Sequence, residues 1–67
     1  MSRFMLVHHQ IIEGGKIVQE RETLINKDHI VYLETTILDL YWVFMTGGRA
    51  IRVKEKDAMK LAGFTVK

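Results

Sequence analysis

The chain has no cysteine and no proline, and six aromatic residues among 67. Without cysteine, neither a disulfide framework nor a thiolate metal site can staple the fold, and the expected compartment is reducing and cytoplasmic. Without proline, and with no low-complexity stretch or repeat, nothing marks a linker. Long apolar runs are missing too. The longest stretch free of charge, Leu40 to Gly48, is far short of the ~20 residues a membrane-spanning helix needs. The first nine residues carry one base and an apolar run broken by His8 and His9, so no secretory signal is expected.

Hydrophobic residues make up 48% of the sequence and charged residues 27%, a globular balance. A chain of this length makes a single domain, residues 1–67, burying only ~60% of the surface its unfolded form exposes. With no covalent or metal staple in prospect, self-association is the expected source of further burial. Charge is unevenly placed. Residues 1–46 hold four bases against six acids, and residues 47–67 hold six bases against two. A basic last third can attract phosphates or an acidic partner, although lysines on a small domain commonly just solvate it.

Periodicity reads as strands. Residues 3–12 are apolar and β-branched with polar interruptions, Gly14-Gly15 forms a turn, and residues 16–25 alternate in character. Glycine tolerates the positive φ angles of a two-residue hairpin loop, so these pieces predict a β-hairpin. Asn26-Lys27-Asp28 is a polar corner, since Asn and Asp hydrogen-bond local backbone. A third strand follows over His29 to Glu34. The run Leu38 to Thr46 places Leu38, Leu40, Trp42 and Phe44 on one face and Asp39, Tyr41, Val43 and Met45 on the other. Being apolar on both faces beyond Asp39, it predicts a strand covered twice, with Trp42 in register with core residues. Gly47-Gly48 turns the chain into a fifth strand, Arg49 to Val53. From Lys54 to Ala62 no β-branched residue occurs, which predicts a helix at about 54–62 ending at Gly63, with Ala58, Leu61 and Ala62 on one side. The expected fold class is mainly β (α+β): about five antiparallel strands, as a small curved sheet or barrel, followed by one C-terminal helix.

Few patterns here carry chemistry. His8 and His9 are adjacent on a strand and point to opposite faces, so they do not chelate one ion easily. The hydroxyls form no nucleophile motif, and Glu20 and Glu22 read as solvating an exposed hairpin. Gly47-Gly48 precedes a strand, which is not a phosphate-cradling arrangement. No enzyme activity, metal or cofactor is expected. Two surfaces are. The twice-apolar strand predicts a protein interface at Leu40, Tyr41, Val43 and Met45 with Tyr32. Arg49, Arg52, Lys54, Lys56 and Lys60, beside aromatic side chains, make the alternative: a surface that stacks bases and tracks phosphates.

The pattern Ile25-Asn26, Asp28, Ile30, Leu33-Glu34, then an apolar strand, Gly48-Arg49, Ile51 and Val53-Lys54-Glu55, resembles the small bacterial flagellar proteins of the FlbD/SwrD type. The resemblance covers residues 24–55. It implies a compact β-rich chain ending in a helix and, as a third reading of function, an association with the flagellum. The longer first hairpin, the Tyr41-Trp42 pair and the doubled glycine depart from that pattern. The leading expectation is a noncatalytic interaction protein of bacterial or phage type, acting as a homo-oligomer or as an adaptor to a protein partner.

Overall fold

Residues 3–65 are described by the computed structural model. The alternating first third folds into strands β1 (Phe4–Glu13) and β2 (Lys16–Asn26), an antiparallel hairpin. Gly14 and Gly15 turn it at φ 62° and 78°, the left-handed pair that a tight hairpin loop demands. A bulge between Ile11 and Ile12 bends the hairpin near its tip. The Asn26 side chain then accepts the Asp28 N–H at 2.9 Å, making the polar corner, and Arg3 pairs with Asp28 across it.

Three strands follow in a second antiparallel sheet: β3 (Ile30–Thr35), β4 (Leu40–Met45) and β5 (Arg49–Lys54), in the order β3-β4-β5. Helix α1 (Glu55–Thr65) closes the described chain. Five antiparallel strands and a C-terminal helix thus match the expected class, with the sheet-or-barrel choice resolved as two open sheets. No helix among the described residues is long and apolar enough to cross a membrane.

The elements differ from expectation in two places. Strand β4 begins at Leu40, because Leu38 and Asp39 adopt φ 59° and 57° in the connection after Thr36. Leucine disfavours that region by about 1–2 kcal/mol, so no sequence preference announces the turn. At the other end, α1 runs through Gly63 to Thr65, and Gly63 does not take the left-handed conformation of a helix-ending glycine.

The core is small. Val7 and Ile25 from the hairpin, Val43 and Val53 from the second sheet, and Ala58 and Leu61 from α1 form one buried cluster. Met5, Ile30, Leu33, Tyr41, Met45 and Ile51 pack around it. One face of the three-stranded sheet, carrying Tyr41, Val43, Met45, Ile51 and Val53, is therefore covered by both the hairpin and the helix. Each valine or leucine so buried contributes about 1.5–3 kcal/mol. The helix is fixed to β1 by a buried carboxylate: Asp57, 4% exposed, accepts the His8 backbone N–H at 2.7 Å.

Candidate functional site

Because side chains alternate along a strand, covering the Tyr41-Val43-Met45 face leaves Trp42 and Phe44 on the opposite one. Strand register sets two rows across that outer face. Glu34 lies opposite Trp42, which lies opposite Arg52; Tyr32 lies opposite Phe44, which lies opposite Ala50. The Tyr32 and Phe44 rings stack with centroids 4.4 Å apart and planes 19° apart. Trp42 tilts against Phe44 at 5.9 Å, and the Arg52 guanidinium sits 4.2 Å over the Trp42 ring. Such aromatic pairs contribute about 0.5–1.5 kcal/mol each, and an arginine over an aromatic ring about 0.5–1 kcal/mol. The cluster is therefore preformed. It is also open: Tyr32 is 49% exposed and Trp42 and Phe44 are partly so. Arg52 Nε is buried and has no hydrogen-bond partner among the described residues.

The residues singled out from sequence separate accordingly. Val43 is fully buried in the core, Leu40 is buried apart from that cluster, and Tyr41 and Met45 pack against the core. Tyr32 alone of the five predicted interface residues stands well exposed, on the face opposite Val43. The apolar outer surface of β4 is thus Trp42 and Phe44. Sequence periodicity flagged both faces as apolar, but which one meets the hairpin and helix is decided by long-range packing.

The five basic residues divide three ways. Arg52 belongs to the aromatic face. Lys54, Lys56 and Lys60 line a shallow hollow of about 180 Å³ with His8, Glu20 and Asp57. Lys54 Nζ lies 3.6 Å from Glu20 there, so part of that positive charge is compensated. Glu20 also accepts the Gln10 amide at 2.8 Å, and that hydrogen bond, ahead of the Lys54 charge, holds its carboxyl below the ordinary value of 4.5. Arg49 lies elsewhere, lining a larger cleft together with His9 and His29.

The two adjacent histidines do face opposite ways. His8 Nδ1 is 3.4 Å from Asp57 and its Nε2 3.9 Å from Glu22, whereas His9 lines the cleft. His9 has a pKa lowered from 6.5, first by burial and then by the Arg21 and Arg52 charges. Among the described residues, no group of three histidine or carboxylate side chains is placed to hold a metal ion.

Comparison of the chain with protein-family models, with curated proteins and with solved structures returned no match.

Proposed function

We propose that this chain is a noncatalytic interaction module that acts as a homo-oligomer, with the outer face of β3, β4 and β5 as the surface on which a second copy docks. The carrying observation is the pair of rows Glu34–Trp42–Arg52 and Tyr32–Phe44–Ala50, which lie on the face opposite the buried cluster, with Leu40 buried at the end of that face. Those rows are self-complementary. A two-fold axis running along β4, between two such faces, sets Glu34 of one copy over Arg52 of the other, twice. The same axis sets Tyr32 over the small Ala50. Matching one patch to itself is what a closed dimer requires, and tyrosine, tryptophan and arginine are the residues that dominate interface energetics.

Of the ten large apolar side chains exposed among the described residues, Tyr32 lies on this face. Light scattering at micromolar concentration should give a mass at least twice the 7.8 kDa of the chain. A monomer at that concentration would remove the proposal. The module serves either as a self-contained oligomer or as an adaptor to another protein, in the cytoplasm of a bacterial or phage system. A flagellar association, which the resemblance of residues 24–55 implies, is one setting for it.

A second reading is favoured by one contact, the Arg52 guanidinium over Trp42, which together with Tyr32 and Phe44 offers a stacking surface for bases. Against it, Glu34 stands in the same row as Trp42, and Glu20 and Asp57 stand among Lys54, Lys56 and Lys60. A nucleic-acid binder would show affinity for oligonucleotides that falls steeply with salt. Absence of binding at low salt ends that reading.

A further inference from the structure

The core-facing row of each sheet changes character as it leaves the buried cluster. On the hairpin, the pair Met5–Ile25 gives way to Val7–Thr23 and then to His9–Arg21. On the second sheet, Val43–Ile51 gives way to Met45–Arg49 at the end of β5. The interlayer space is therefore apolar at its floor and basic at its mouth. It is also unfilled. Strands β1 and β5 run beside each other, yet among the described residues no backbone hydrogen bond joins them, so the two sheets stop short of closing a barrel. Between them lies a cleft of about 600 Å³, within the ~300–1,000 Å³ range of small-molecule sites.

We propose that this cleft binds a small organic anion, its charged end held by Arg49, His29 and His9 and its apolar body lying on Ile25, Met45 and Ile51. Among the described residues, the lining includes no aspartate or glutamate. It supplies one arginine, two histidines, Thr23, Thr46 and Asn26 as polar groups, which converge from the hairpin, the polar corner and the β4–β5 turn. The turn and the corner are held together, because the Thr46 N–H donates to the His29 carbonyl at 2.9 Å. Arg49 and His29 thus face the cleft on a fixed frame. Arg49 is the principal anchor, since its planar guanidinium stays charged and offers paired N–H donors to a carboxylate or phosphate. Burial first, and then the nearby Arg21 and Arg52 charges, lower the His9 pKa. The anchoring residues Arg49, His9, Ile25, Met45 and Ile51 lie on the core side of the strands, and the cleft meets the outer face at Ala50.

The test uses the full chain and three six-carbon probes, hexanoate, hexanol and hexylammonium, with inorganic phosphate as a headgroup without an apolar body. Two-dimensional NMR titrations should show hexanoate shifting the signals of His9, His29, Thr46, Arg49 and Ile51 saturably, with at least fivefold higher affinity than hexanol or hexylammonium. Phosphate should bind the same residues more weakly than hexanoate. Arg49→Gln, with an otherwise unchanged spectrum, should weaken hexanoate at least fivefold, while Lys16→Gln at the hairpin tip leaves it unchanged. Equal response to hexanoate and hexylammonium would overturn the proposal. So would shifts located away from the cleft, or hexanoate affinity unaltered in Arg49→Gln.

Discussion

Replacing Asp57 by alanine tests how the helix is attached to the strands. Asp57 sits in the first turn of α1, where the positive end of the helix favours a carboxylate by about 0.3–1 kcal/mol. Its oxygen takes the His8 N–H at 2.7 Å while the side chain is nearly excluded from water. A hydrogen bond to a charged group contributes about 1.5–3 kcal/mol, and deleting the acceptor leaves a partly buried N–H of β1 with no partner. The two effects overlap at one carboxylate, so the expected loss for Asp57→Ala is about 2–3 kcal/mol. Asp57→Asn keeps an acceptor oxygen and should lose about half as much. A small domain has a urea dependence near ~1 kcal/mol per molar, so the alanine variant should move the urea midpoint down by roughly 2–3 M. Thermal unfolding should fall by roughly 8–24 °C. Both assays need a fixed protein concentration, since self-association would itself raise the midpoint. A midpoint within ~0.5 M of the parent would refute the reasoning and leave Ala58 and Leu61 as the whole attachment of the helix.

Val43→Ala removes two methyl groups from the centre of the core and should cost about 2–3 kcal/mol in chemical unfolding, whereas a cost below ~1 kcal/mol would mean that the Val43 face is not the covered one. Gly48 has φ 76° with open space where a Cβ would stand, so Gly48→Val should destabilise by roughly 1–2 kcal/mol through backbone conformation alone, and Gly48→Asn by only a few tenths; equal losses would point to packing instead. Because the folded-state pKa of His9 lies below its unfolded value of 6.5, the unfolded chain binds more protons near that pH, and stability should drop as pH falls from about 7 through 6.5 towards the folded pKa. Unfolding midpoints of the parent and of His9→Gln across that window should show the slope reduced in the variant; parallel curves would assign it to other groups.

Local chemistry was legible in the sequence and long-range packing was not. The two glycine pairs, the Asn26 corner and the strands they delimit follow from residue-by-residue conformational preference, and the structure places β1, β2, β3 and β5 within a residue or so of expectation. Strand β4 was ambiguous for a physical reason. Leu40, Tyr41, Trp42, Val43, Phe44 and Met45 are apolar on both faces, and parity with Leu38 made the Trp42 side look like core. Leu38 in fact leaves the strand through a left-handed turn, and the hairpin and helix choose the Val43 side. Asp57 was hidden in a helix rich in charge, where a carboxylate reads as solvated; its burial depends on His8, forty-nine residues earlier in the chain. His9, His29 and Arg49 likewise meet only once the two sheets pack.

The central claim, that the outer face docks on its own copy with Glu34 against Arg52, is tested most directly by light scattering on a charge-swap series: the parent chain, Glu34→Arg, Arg52→Glu, and the double variant. Setting like charges opposite each other in an interface costs several kcal/mol. The predicted result is a dimer for the parent, monomers for both single variants, and a dimer again for the double variant. A monomeric parent, or a double variant that stays as dissociated as the singles, would contradict it.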